Sequence, residues 1–130
     1  MYLSNFTDIM LEDVNIEGAK GAKIRWLISE KEGATNFAMR MFEVAPNGNT
    51  PYHTHNYEHE VFVLEGEGDI VTKDGAKLMK HGDAIYVAPN EEHQFVNKSE
   101  KKLVFLCLIP QENKKTKTTN PFASGKANTC

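Results

Sequence analysis

The sequence has little of what nucleic acids and membranes require of a protein. Its 130 residues carry 15 Lys and Arg against 18 Asp and Glu, a net charge of −3, so it offers no basic field to a phosphate backbone. No apolar run approaches the ~20 residues of a membrane span. The first residues lack a basic region followed by an apolar core, so we expect no secretory signal and a cytoplasmic location. We therefore expect no nucleic-acid partner and no membrane partner.

Cysteine is also scarce, which argues against a fold held by disulfides. The chain has 2 cysteines. Cys107 lies in the apolar run LVFLCLI and is predicted to be a buried thiol, whereas Cys130 follows a polar stretch. We do not expect a disulfide between them. The length and the 40% hydrophobic content fit one ordinary domain with a single core.

Short β-branched and aromatic stretches, separated by turn residues about every 8–12 positions, dominate the pattern. We predict strands at 24–28, 37–44, 60–64, 69–73, 77–79, 84–87, 94–97 and 103–109. Residues 46–49 (PNGN) predict a turn that leads into an extended segment at 52–55. No long helical pattern competes with the strands, so the fold class is all-β, a sandwich or barrel with little helix.

Three regions follow from this pattern. Residues 1–22 form an N-terminal arm, residues 23–110 form the folded domain, and residues 111–130 form a polar tail. The tail is rich in Lys, Thr and Asn and poor in aliphatic residues, so it cannot bury enough apolar surface to offset its ordering entropy. We expect the tail to be disordered.

Four of the five histidines fall in two short stretches, and this indicates a metal site. His53 and His55 lie on one face of an extended segment, with Cα atoms roughly 6.5–7 Å apart, so both imidazoles can reach one ion. His59 is too far along to join them unless the chain turns, and residues 56–58 supply that turn. His93 is the fourth candidate. Neutral imidazoles suit Mn, Fe, Co, Ni, Cu or Zn, so the ligand type does not decide the metal.

The spacing of these residues resembles the two sequence motifs of the cupin superfamily. The first motif is matched by Gly48, His53, His55, His59 and Gly66, and the second by Gly82, Pro89, His93 and Asn97. More narrowly, the chain resembles small single-domain cupins that bind manganese through four histidines. The resemblance implies a jelly-roll β-barrel over 23–110 with one divalent ion in its mouth. Mn²⁺ or Fe²⁺ is favoured, and Zn²⁺, Ni²⁺, Co²⁺ and Cu²⁺ are compatible with the ligands.

Two neighbouring residues compete for one position of the first motif. Three residues separate His55 from His59, and six separate His59 from Gly66, which matches the usual cupin count. If Glu60 is taken as the ligand instead, Gly66 follows it one residue sooner than the usual cupin count requires. Neighbours on a strand face opposite sides, so His59 and Glu60 cannot both point at the metal. We prefer His59 and keep Glu60 as the alternative ligand.

The resemblance implies a small-molecule ligand or substrate and leaves three functions open. Four ligands would leave about two positions of an octahedral ion free, which suits an oxygenase or oxidase of the dioxygenase type. The alternatives are a non-catalytic metal- or ligand-binding module and a metal-dependent isomerase of the sugar-phosphate or polyketide type. Parity along the strands makes Phe95, Phe105 and Cys107 candidates for the pocket lining. We also expect a homodimer, formed through the edge strand that contains Trp26.

Overall fold

The computed structural model describes residues 1–111 and 130, and within them β-strands carry almost all of the regular structure. The nine strands are β1 (Glu12–Asp13), β2 (Lys20–Ile28), β3 (Phe37–Asn49), β4 (His59–Glu65), β5 (Glu67–Thr72), β6 (Gly75–Lys80), β7 (Ala84–Val87), β8 (Gln94–Val96) and β9 (Leu103–Pro110). The described part also contains two single-turn 3₁₀ helices, at Phe6–Asp8 and Glu30–Glu32, and no α-helix. None of its helices is long and apolar enough to cross a membrane.

All nine strands join one sheet that curls on itself. The order of neighbours is β6, β5, β8, β3, β9, β4, β7, with β2 added to β3 and β1 added to β2. The long strand β3 organises the sheet because it pairs with β2, β8 and β9. All pairings between the strands are antiparallel, and the predicted all-β jelly-roll barrel with little helix is confirmed.

Alternation along the strands decides what lies inside the barrel. In β4, His59, Val61 and Val63 are buried while the residues between them are exposed. The aromatic centre of the core is Phe105, which stacks on Phe42 with ring centroids 5.4 Å apart and packs on Phe95 at 4.9 Å. This apolar layer forms the floor beneath the histidine cluster.

The predicted turn at 46–49 is wrong, because these residues continue strand β3. Asn49 pairs with Lys20 of β2 and with Val96 of β8. The backbone is irregular there, with Asn47 at φ 65° and a register shift between Lys20 and Ala22. A Cβ on Gly48 would lie 2.6 Å from the Lys20 carbonyl oxygen, so the glycine is needed for the close approach of two strands and not for a reversal. The predicted extended segment at 52–55 is reduced to one isolated bridge between His53 and His93.

The remaining predictions concern the two ends of the chain, the N-terminal arm and the polar tail. Strand β2 begins at Lys20, inside the predicted arm, and pairs with β1 through Ile24 and Lys23. The predicted disordered tail falls on residues 112–129, which lie outside the described residues. Cys130 is described, and its side chain is buried in the core.

Candidate metal centre

Four histidines meet in the barrel interior, carried there by a β-bridge, a loop and a strand. His53 and His93 exchange two backbone hydrogen bonds, at 3.1 Å and 3.0 Å, in the isolated bridge that joins the loop after β3 to the start of β8. The loop continues through His55 and turns back at residues 56–58, so that His59 enters β4 facing inward. Three of the four side chains are buried, and that of His53 is half-buried.

Backbone carbonyls fix the ring orientation of three of these histidines. The Nδ1 atoms of His53, His55 and His93 lie 2.7, 2.9 and 2.8 Å from the carbonyl oxygens of Pro51, Tyr57 and Glu91 respectively. A carbonyl can only accept a hydrogen bond, so each Nδ1 must carry the proton. The Nε2 atom of each neutral ring is then left with a free lone pair. This is the arrangement by which proteins prepare an imidazole for a metal ion.

The Nε2 atoms face one another across a small space. The ring centroids of His53 and His93 are 4.8 Å apart, and those of His55 and His59 are 4.1 Å apart. The potential ligand atoms of His53, His55 and His93 all lie within 4.8 Å of one another, and Nε2 of His59 contacts Nε2 of His55. The Nε2 atoms of His53 and His93 are buried without a hydrogen-bond partner. A shared cation would satisfy such atoms, so the residues present fit a divalent metal ion.

Burial keeps the cluster neutral. Loss of solvation lowers the pKa of all four imidazoles, and for His55 it lowers the pKa to about 3. The positive charge of Arg40 lowers the pKa of His59 further. Neutral imidazole is the form that binds metals, so burial prepares the four rings for ligation near neutral pH.

His59 differs from the other three because sulfur and a guanidinium replace the carbonyl. Its Nδ1 lies 2.9 Å from Sγ of Cys107 and 3.4 Å from a terminal nitrogen of Arg40, which also donates to Cys107 at 3.0 Å. Cys130 donates to Cys107 with the two Sγ atoms 2.9 Å apart. Burial raises the pKa of Cys107, but the hydrogen bond from Cys130 and the charge of Arg40 outweigh it and the pKa is lowered. Burial and the neighbouring Cys107 raise the pKa of Cys130 well above its usual value.

The remaining predicted site residues are placed as follows. Glu60 is exposed on the outer face of β4, on the opposite side from His59. Phe95 is fully buried and packs edge-on against the ring of His93, with the two ring centroids 5.9 Å apart. Phe105 lies one layer deeper, and Cys107 supports His59 from behind. These three side chains therefore form the floor and one wall of the cluster.

The residues of the site that the sequence did not reveal include Arg40, Cys130 and the buried Tyr57, whose ring stacks on His55 with centroids 3.9 Å apart. Arg40 is fully buried, and its guanidinium lies 5.7 Å from the Trp26 ring and 5.1 Å from the Phe42 ring. Period two along β3 puts Arg40 on the same face as Ala38 and Phe42, so its inward position could have been read from the pattern. Cys130 offered no such signal, because its position depends on long-range packing.

Comparison with known proteins identifies the family to which this chain is similar. The model of the cupin domain family matches residues 40–109. The crystal structure of the polyketide cyclase RemF from Streptomyces resistomycificus is 34% identical and superposes with a TM-score of 0.83, covering 97% of this chain and 93% of the other.

Two curated relatives match with lower coverage. One is 1-methylthio-D-xylulose 5-phosphate methylsulfurylase of Rhodospirillum rubrum, 29% identical over 59% of this chain and 49% of the relative. The other is glucose-6-phosphate isomerase of Thermococcus litoralis, 30% identical over 64% of this chain and 50% of the relative. The chain thus spans about half the length of the curated relatives it matches.

Proposed function

The chain belongs to the cupin domain family, and from this membership we propose that it is a metal-dependent enzyme acting on a small organic substrate that contains carbonyl groups. The proposed ligands are His53, His55, His59 and His93, with Mn²⁺ as the first candidate ion and Fe²⁺ as the second. The observation that carries the proposal is the convergence of four imidazoles, with the potential ligand atoms of His53, His55 and His93 within 4.8 Å of one another and Nε2 of His59 in contact with Nε2 of His55.

His59, and not Glu60, is the proposed fourth ligand. The inner face of β4 carries His59 into contact with His55, whereas Glu60 pairs with Tyr86 of β7 in the register and is exposed. Moving the Glu60 carboxylate inside would require a one-residue shift of β4, which would expose Val61 and Val63. Burial of these valines therefore supports His59.

The residues of this chain would bind the ion and orient the imidazole rings that hold it, and the ion would supply the electrophile. A divalent ion held by four neutral imidazoles would polarise a substrate carbonyl as a Lewis acid. The carbonyls of Pro51, Tyr57 and Glu91 hold three of the rings in the ligating tautomer. Phe95 keeps water away from the inner side of the cluster, because its ring is fully buried against His93.

The ligand set favours carbonyl polarisation over oxygen activation. Non-haem iron oxygenases commonly hold their metal with two histidines and one carboxylate. Within residues 1–111 and 130, the groups with metal-ligand spacing contain only histidine and cysteine. Two of the similar proteins support this choice, because one is described as a polyketide cyclase and the other as a glucose-6-phosphate isomerase, and both names describe reactions that carbonyl polarisation can promote. An oxygenase is the second candidate, and a non-catalytic binding module is the third.

Metal content tests the ligand set directly. We expect about one equivalent of Mn or Fe in untagged protein by elemental analysis, or after reconstitution with Mn²⁺. His59→Ala should lose the ion, and the adjacent Glu60→Ala should keep it. His81→Ala, which removes an exposed histidine, controls for nonspecific binding. Loss of metal with Glu60→Ala alone would contradict the four-histidine site.

Substrate class is tested with Co²⁺ as a spectroscopic probe and with turnover. A β-diketone that binds the ion should change the visible absorption of the Co²⁺ protein. Turnover of polyketide-type substrates should be equal under air and under nitrogen. A rate that requires oxygen would favour the oxygenase, and metal binding without any turnover would favour the binding module.

A further inference from the structure

The side of His59 that faces away from the other histidines is surrounded by two thiols and a guanidinium. Sγ of Cys107 lies 2.9 Å from Nδ1 of His59 and 2.9 Å from Sγ of Cys130, and Sγ of Cys130 lies 3.8 Å from the same Nδ1. Arg40 donates to Cys107 at 3.0 Å. All four side chains are fully buried. The proposed mechanism does not use the two thiols.

We propose that Cys107 and Cys130 are an oxidisable thiol pair that forms an intramolecular disulfide directly behind the proposed ligand His59. With hydrogen peroxide as the oxidant, one thiol attacks a peroxide oxygen and becomes a sulfenic acid while the O–O bond breaks and water leaves. The second thiol attacks that sulfur and releases another water. Two thiols and one hydrogen peroxide thus give one disulfide and two waters.

The geometry supports a disulfide more than a second metal ion. Cys107, Cys130 and Nδ1 of His59 lie within metal-ligand spacing of one another. The guanidinium of Arg40, 3.0 Å from Cys107, would however repel a second cation at that position. The two sulfurs need to approach by only about 1 Å to reach the ~2.05 Å of a disulfide. In the cytoplasm predicted for this chain, such a bond would be transient and reversible.

Oxidation would change the hydrogen-bond partner of His59, and this step rests on the proposed metal centre. In the reduced protein, the Cys107 sulfur can accept from Nδ1 of His59, which leaves Nε2 free to ligate. A disulfide sulfur is a weaker acceptor, and the next neighbour, Arg40 at 3.4 Å, can only donate. Nδ1 then becomes the acceptor and the proton moves to Nε2, where it blocks ligation.

Mass spectrometry tests the pair independently of any metal. The full chain, purified under reductant, is exposed to hydrogen peroxide, quenched with catalase, denatured and labelled with N-ethylmaleimide. We expect the untreated protein to take a label on both cysteines. The treated protein should take none, be lighter by two hydrogen atoms, and yield a peptide that joins residues 107 and 130. Dithiothreitol should restore both labels.

Cys130→Ser is the matched control, because it keeps a polar group of similar size but cannot form the internal disulfide. Its Cys107 therefore measures direct damage by peroxide. The thiol pair is overturned if both cysteines of the treated protein still take labels. It is also overturned if the thiols are converted to oxygen adducts instead of a disulfide. Disulfides between two chains, seen as a dimer on a non-reducing gel, would overturn it as well.

Metal affinity tests the coupling to His59. Titration with Mn²⁺ should show about 10-fold weaker binding to the oxidised protein than to the reduced protein, with recovery after dithiothreitol. Equal affinity in the two states would refute the coupling. If neither state binds Mn²⁺, the proposed metal centre fails, and the mass measurement still decides the thiol pair.

Discussion

Acid should destabilise the metal-free protein, and His55 allows the size of the effect to be calculated. Its pKa is 6.5 in an unfolded chain and about 3 in the folded barrel, because burial disfavours the imidazolium. The folded state therefore binds fewer protons than the unfolded state between these two values. The stability is fully present above about pH 6.5 and is lost as the pH falls towards about pH 3.

The expected magnitude follows from the same two pKa values. Between about pH 7.5 and about pH 5, His55 alone should reduce the free energy of unfolding by ~2 kcal/mol. Burial lowers the pKa values of His53, His59 and His93 as well, so their protonation should reduce the stability in the same direction. Against a total stability of ~5–15 kcal/mol, the loss expected from His55 alone is large enough to measure.

Urea denaturation of EDTA-treated protein, followed by circular dichroism at a series of pH values, measures this loss. His55→Gln removes one titrating group, so the difference in unfolding free energy between about pH 7.5 and about pH 5 should shrink by ~2 kcal/mol. His81→Gln changes an exposed turn residue outside the cluster and is the matched control substitution. Saturating Mn²⁺ should reduce the acid sensitivity, because bound metal competes with protons for the same nitrogens.

A wild-type protein that loses no stability between about pH 7.5 and about pH 5 would contradict this prediction. So would an equal change in the pH dependence for His55→Gln and His81→Gln. Either result would mean that burial does not hold His55 neutral in the folded state.

Three further predictions concern the frame around the site. Gly66→Ala should lower the free energy of unfolding by ~2 kcal/mol, more than Gly82→Ala does. Both glycines have a positive φ, but only a Cβ on Gly66 would meet the carbonyl oxygen of Lys102. The midpoints of urea denaturation compare the two variants. Asn97→Ala should cost ~2–3 kcal/mol by the same measurement, since its buried amide donates to the carbonyls of Val44 and Lys101, and an unchanged midpoint would contradict this. Sedimentation velocity at micromolar concentration should show the predicted homodimer of the 14.6 kDa chain, and a single monomer species would refute it.

The strands of the barrel could be predicted because their signal is local. Alternating burial in β4 and the continuous apolar run of β9 each follow from a few consecutive residues. The turn predicted at 46–49 failed because Asn and Gly are typical of turns and also of an irregular strand where two backbones approach closely. Which of the two occurs depends on β2, whose partner residues lie more than twenty positions earlier in the chain.

The sequence by itself determined the candidate ligands, since His53, His55, His59 and His93 stand at motif spacing and the side-chain period of a strand puts His59 and Glu60 on opposite faces. Only the tertiary structure decided what lies behind them. Arg40 meets Cys107 because β3 pairs with β9 in that register, and Cys130 reaches both by packing into the core. Periodicity gives the face of a residue but not its partner across the sheet, because register is set by the packing of the whole barrel.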